Sequence, residues 1–343
     1  MRFNYFFNRL NLEGVYIEDQ KHDTLLSAGA VSVRITDWFF FKDKAVLEYI
    51  GLEDAVIHMN RTDSVWNYAF LANYFASTDT ATVIKDPGIQ FDLKKVELKN
   101  VAFVKKDAWL GNDLTVKVGA LDLDAEEISA SKQSIVVKNA VLKDPYFSSL
   151  NYTGKFIDTT SSKMDWNIQF RNIQISNGRF RQDNGDFTPT VTYFDGAHID
   201  FSAINATASN FRFKNDTISA RVNLSASERS GFEIKKLATD LTIQPKGYVF
   251  DNLHLQTNRS TLSNRFALHF ASTKSFDDFV HAVNMEANFA NAFISSEDLA
   301  YFIPDAKSWK KNIKINGKVE GSVDGLASQN LEIWLGNNTY VHG

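Results

Sequence analysis

The sequence predicts a mainly β protein, an elongated and curved antiparallel sheet forming a taco-like or trough-like β-groove with a few short helices. Three observations carry this. Apolar and polar residues alternate with period two along much of the chain, the pattern of strands with one dry and one wet face. A six-residue pattern recurs in which the parity of that alternation flips once. Only five prolines interrupt 343 residues, so ladder hydrogen bonding can continue over long distances.

The alternation is clearest at Val31, Val33 and Ile35, at Leu114, Val116 and Val118, and at Ala220, Val222 and Leu224. It returns at Phe266, Leu268 and Phe270, and at Ile313 and Ile315. The repeat is apolar, any residue, Asn/Asp/Gly, apolar, any residue, apolar. It runs LEGVYI (12–17), LEDAVI (52–57), LKNVAF (98–103), VKNAVL (137–142) and FRNIQI (170–175). Weaker copies follow at ASNFRF (208–213), ATDLTI (238–243) and FDNLHL (250–255), and QNLEI (329–333) keeps the second half. The first seven copies recur roughly every 30 to 46 residues, a spacing typical of stacked supersecondary units.

Within each copy the apolar positions fall at i, i+3 and i+5. A strand can keep them on one face only by bending at the small polar residue, and Asn, Asp and Gly tolerate the backbone angles this needs. Regular bends curve a sheet, which favours a trough over a flat sandwich; generic antiparallel hairpins are the plainer alternative.

Three segments predict short helices. Trp66, Phe70 and Tyr74 fall four apart. Phe276, Phe279, Val280 and Val283 follow Ser275, with Asp278 completing a capping box, and Ser296 is placed to cap the run ending at Pro304. Each is too short to stand alone and must pack on sheet. Domain organisation follows as one continuous β region over 1–343, with a cap over 1–78 that carries a short helix. Repeating β segments over 79–343 include helices near 275–283 and 296–303.

The bulk composition fits a folded chain: 44% hydrophobic, 13% aromatic and 23% charged residues. The net charge of −4 and its mixed signs lack the basic stripe of a nucleic-acid binder. The absence of cysteine removes disulfides, thiolate metal sites and cysteine nucleophiles. No run approaches a membrane span and the first residues lack a signal-peptide core, so any export signal or anchor is expected upstream of Met1, with further sequence after Gly343.

The familiar catalytic strings are absent, and no enzyme activity, cofactor or metal is expected. The seven histidines have no metal-ligand spacing and fall mostly at wet strand positions. Asp122, Asp124, Glu126 and Glu127 alternate with Leu121, Leu123 and Ile128 as the wet side of a strand, and Asp183, Asn184 and Asp186 form a turn; both clusters are weak calcium candidates. Phe3, Tyr5, Phe6, Phe7 and Trp38–Phe41 make the first 50 residues ring-rich, fitting either a membrane-proximal mouth or a core.

The strings LEGVYIEDQKHDTLL, DWFFFKDKAVLEYIGLEDAVIHMNRTDSVWNYAFL and DLAYFIPDAKSW resemble the AsmA-like superfamily. The likeness is greatest to the TamB translocation and assembly module proteins of Bacteroidetes-type bacteria. SNGRFRQDN, SERSGFEI, TNRSTL and MEANFANAFISSEDLAYF extend it over most of the chain. The resemblance implies a periplasmic protein anchored in the inner membrane, with an apolar β-groove for phospholipid transport between the inner and outer membranes during outer-membrane biogenesis. Its alternative is a platform for outer-membrane protein translocation and assembly with an Omp85-type barrel. The expected partners are phospholipid acyl chains and the membrane, not nucleic acid. Candidate groove residues are Val116, Val118, Val222, Leu224, Phe266, Leu268 and Phe270, because Lys117, Arg221, Asn223 and His269 take the opposite parity.

Overall fold

The computed structural model describes residues 2–4, 9–35, 45–71, 89–129, 132–157, 166–336 and 339–343. The ring-rich stretches at 5–8 and 36–44, and Tyr74, lie outside them. The chain is mainly β and divides into two compact units, Met1–Ser162 with Ile175–Thr188, and Lys163–Gln174 with Pro189–Gly343.

In the first unit the strands are β1 (Arg2–Asn4), β2 (Arg9–Glu18), β3 (Thr24–Ile35), β4 (Ala45–Arg61), β5 (Ile89–Asp107), β6 (Asn112–Ser129), β7 (Ser134–Lys143) and β8 (Tyr146–Asn151). Residues 175–184 of β9 (Asn167–Asn184) complete it. Most neighbours pair antiparallel, but β4 with β5 and β8 with β9 run parallel. Those two pairs depart from the all-antiparallel expectation, and alternation cannot distinguish them because side chains alternate equally in both kinds of ladder.

The second unit is an antiparallel run in chain order. Its strands are β10 (His198–Lys214), β11 (Thr217–Glu228), β12 (Glu233–Gln244), β13 (Gly247–Thr257), β14 (Thr261–Phe270), β15 (Val283–Ser295), β16 (Asn312–Gly321), β17 (Ala327–Leu335) and β18 (Thr339–His342).

The repeat marks bends. Gly14 (φ 64°), Asp54 (φ 50°) and Asn100 (φ 51°) take left-handed backbone inside strands, as do Asn210 (φ 55°), Asn252 (φ 51°) and Asn330 (φ 51°). In the first unit the bends line up: Ala28 pairs with Ala55 and Ala55 with Val101, while Val31 pairs with Leu52 and Leu52 with Leu98. All six of these residues pack in one apolar cluster together with Val15 and Val118. Side chains three apart along a strand thus share a face, which ordinary alternation forbids. Side chains zip the bends together: Asn100 Nδ2 donates to Asp54 Oδ1 at 2.7 Å, and Asn177 Nδ2 to Asp144 Oδ1 at 2.6 Å.

In the second unit Asn252 Nδ2 donates to Asp240 Oδ2 at 2.7 Å, and register shifts at Phe250/Leu253 and Phe289/Ala292 mark the bends. The central residues of three predicted copies, Asn139, Asn172 and Asp240, are not among the positive-φ residues. Conversely, Asn177, Ala203 and Asn291 adopt positive φ at strand positions to which the repeat was not assigned. FANAFI (289–294) satisfies the spacing, but its alanines blur the contrast between dry and wet positions.

Left-handed backbone disfavours β-branched side chains by about 1–2 kcal/mol, and a lost hydrogen bond adds about 1 kcal/mol. Asn252→Val is therefore expected to lower unfolding free energy by about 2–3 kcal/mol in a denaturant titration. Asn252→Gly, which keeps the angle, is expected to lose about 1 kcal/mol.

Two of the helical predictions shrink to turns. Near Trp66, Ala69–Leu71 is helical, and the predicted run from residue 72 on lies outside the described residues. The 275–283 helix is a 3-10 turn, Thr273–Asp278, followed by one α-turn, Phe279–Ala282; its box is Ser272 with Ser275 instead of Ser275 with Asp278, and Val283 already belongs to β15. Ser295, not Ser296, caps Ser296–Leu299, and Pro304 starts a further 3-10 turn, Pro304–Ser308. In the 275–283 segment β15 claims Val283, which periodicity would give to the helix.

Candidate functional site

Pairing across the second unit sorts side chains onto two faces, since residues opposite one another in a ladder share a face. One row runs Ile218, Ile243, Tyr248, Leu268, Met285 across β11 to β15. A second runs Leu241, Phe250, Phe266, Ala287, Val319 across β12 to β16. A third joins Leu224, Leu237, Leu255 and Leu262. Aliphatic and aromatic groups thus continue from strand to strand on one face.

The opposite face is charged. Arg221 pairs with Asp240 at 2.9 Å, and Arg265 bridges Asp251 and Glu286, the latter at 3.0 Å. The hydrogen bonds from Arg221 and then Asn252 hold the Asp240 carboxyl below the usual carboxylate range. Arg265 does the same for Glu286.

The structure places Val222, Leu224, Phe266, Leu268 and Phe270 on the apolar face, and Arg221, Asn223 and His269 on the other. Val222, Leu224, Phe266 and Leu268 are half-buried. Phe270 is buried: it packs on Tyr248 and on Phe276 of the 3-10 turn, with ring centroids 4.9 Å away in both cases. That turn closes one end of the face.

In the first unit the corresponding row is Phe103, Val116, Phe147, with Phe180 stacked on Phe147 at 5.4 Å. Val116 is 36% exposed and Phe147 38%, so the apolar face is open there. Val118, two residues on, packs against Ala28, Ala55 and Val101. Lys117 is exposed on the other side.

Among the described residues, the fully buried apolar side chains are mostly alanine and valine, with few as large as Leu253 or Phe270. A thick second layer would bury the large residues as well, because packed interiors leave few voids. The rows instead stay half exposed. Ile243, Tyr248, Phe250 and Met285 belong to this face but were not singled out by alternation, because their strands are short and broken by bends or turns.

Neither calcium candidate is assembled. Lys95 lies 2.6 Å from Asp122 and 3.0 Å from Asp124, and Asp186 accepts from the Thr153 hydroxyl at 3.0 Å. Among the described residues no group of three His, Asp or Glu side chains is arranged to hold a metal ion, and no helix is long and apolar enough to cross a membrane. His198 is buried, unlike the wet position expected of it.

Comparison with known proteins gives no match among family models, curated proteins or solved structures. The functional argument therefore rests on the faces themselves. A half-buried apolar surface, with a salt-bridged polar one on the opposite face, can hold flexible hydrocarbon: contact there depends on area removed from water, not on directional bonds.

Proposed function

We propose that the chain is a segment of an AsmA-like, TamB-type envelope protein whose apolar faces form the wall of a β-groove. That groove holds phospholipid acyl chains for transport between the two membranes. The observation that carries the reading is the set of cross-strand rows, above all Ile218–Ile243–Tyr248–Leu268–Met285, in which large apolar side chains remain half exposed.

The physical need is large. Two acyl chains hold roughly 30 methylenes, and at about 0.8 kcal/mol each their exposure to water costs roughly 25 kcal/mol. An apolar face lowers that cost at each step while the headgroup stays in water, and no bond is made or broken. The bends matter because each strand keeps its apolar residues on one side past Asp54, Asn100 or Asn252. A straight strand with the same sequence would move half of them to the wet face.

Transfer of a fluorescent phospholipid from donor to acceptor vesicles tests this. The purified protein is expected to accelerate transfer in proportion to its concentration. No acceleration by a folded sample would count against transport.

A further inference from the structure

We propose that residues 301–311 in the second unit form a docking surface for an anionic phospholipid bilayer, separate from the apolar sheet face. The segment is held rigidly. Ser295 Oγ caps the preceding turn by accepting from Glu297 N–H at 3.3 Å. The buried Asp298 carboxylate accepts from the Thr257 hydroxyl at 2.5 Å and from Arg259 N–H at 3.0 Å. At the far end Lys311 N–H donates to Ser296 Oγ at 3.1 Å, and Ser296 N–H donates to the Lys311 carbonyl at 2.9 Å. Ala306 is fully buried and pins the centre.

On this clamped base three large apolar side chains point outward: Phe302 is 49% exposed, Ile303 50% and Trp309 47%. Phe302 still rests on Phe194 and Phe232, with centroids at 5.3 and 5.1 Å, so the patch is held in place. The same segment carries Lys307, Lys310 and Lys311, which line a cleft of about 800 Å³ together with Lys235 and Arg259 and the two acids Glu297 and Asp298. Among the described residues no carboxylate pairs with Lys307, Lys310 or Lys311, whereas Arg259 is engaged by Glu297 at 2.7 Å. Asp305 is the one acid in the segment, in a chain whose net charge is −4. Positive charge here runs against the bulk of the protein.

Exposed Trp, Phe and Ile interleaved with lysines match the bilayer interface, where rings sit at headgroup depth and ammonium groups meet phosphate. A protein partner of mixed charge would not need three unneutralised lysines in one short run with an exposed tryptophan. Each lysine near an anionic surface changes partitioning about fivefold, an effect screened by salt.

Co-sedimentation with vesicles tests the assignment, using phosphatidylcholine alone and phosphatidylcholine containing phosphatidylglycerol. The protein is expected to bind the anionic vesicles at low salt, to bind neutral ones far more weakly, and to be released by high salt. Substituting Lys307, Lys310 and Lys311 together by Gln should weaken binding about a hundredfold. Trp309→Ser should weaken it further with an unchanged circular dichroism spectrum. The triple Gln variant at Lys236, Lys314 and Lys318, which are exposed elsewhere in the unit, should bind like the parent. Leu268→Asp should also keep vesicle binding, which separates this proposal from the acyl-chain reading. Equal binding to neutral and anionic vesicles, or equal loss in both triple variants, overturns it.

Discussion

Asp107→Ala is expected to destabilise the first unit by about 3–5 kcal/mol, the usual cost of removing one partner from a buried ion pair. Arg61 and Asp107 end neighbouring strands and meet through two parallel bonds, Nε to Oδ1 and Nη2 to Oδ2, both 2.7 Å. Asp107 is 1% exposed and also accepts from Leu110 N–H at 3.0 Å, while Arg61 lies over the Trp66 ring at 4.5 Å. Removing the carboxylate leaves a largely buried guanidinium. Removing both partners, as Arg61→Met with Asp107→Leu, should cost much less, so a double-mutant cycle by denaturant titration should show strong coupling. Additive single losses would contradict the pairing.

The same pair sets a pH dependence. Burial pushes the Asp107 carboxyl up, but the Arg61 hydrogen bond, the Leu110 N–H and the charges of Arg61 and Lys105 outweigh it, and the group sits below its ordinary 3.8. A depressed carboxylate contributes stability that is complete above the unfolded value and lost as pH falls through the folded one. The contribution of this pair to unfolding free energy should therefore be flat above about pH 5 and fall below it, and Asp107→Asn should reduce the slope of the acid limb. An unchanged limb would contradict this.

The second large effect concerns the apolar face, where burial now separates positions of equal parity. Val116 and Leu268 are open enough for a carboxylate to reach water, so Val116→Asp and Leu268→Asp should give soluble, β-rich protein. A charge across the acyl path raises the barrier by several kcal/mol, enough to slow lipid transfer by orders of magnitude. Phe270, buried beneath Phe276, is different. Asp there strands a charge in a dry site and should unfold the surrounding strands instead. Lys117→Asp, on the opposite face, should be nearly silent. If Val116→Asp and Leu268→Asp transfer lipid like the parent, these faces are not the path.

Much of the fold was legible because strand periodicity is local. Apolar parity at Val222, Leu224, Phe266 and Leu268 reports a face whatever the strand pairs with, and a parity flip at Asp54, Asn100 or Asn252 reports a bend because only a few residue types accept that backbone. Less legible was whatever depends on pairing partners. The parallel pairing of β4 with β5 leaves no mark on alternation. Phe270 and Leu268 look alike in sequence, yet a ring from a later turn buries one of them. The shortened helices show the same limit, since Val283 fits a helical face and a strand equally well until β14 and β16 claim its strand. Of the cationic, aromatic segment at 301–311 only the start was visible, as the end of a helix near 296–303, and the clamp through Ser296 and Asp298 that turns Trp309 and Ile303 outward is a tertiary feature.

The central claim is that the apolar faces hold acyl chains, and the most direct test is mass spectrometry of lipids retained by the purified, folded protein. The account predicts co-purifying phospholipid with two acyl chains, at or near stoichiometric amounts, and its loss in Leu268→Asp with the circular dichroism spectrum unchanged. A well-folded parent that carries no lipid after exposure to phospholipid vesicles, or a Leu268→Asp variant that carries as much as the parent, would contradict it.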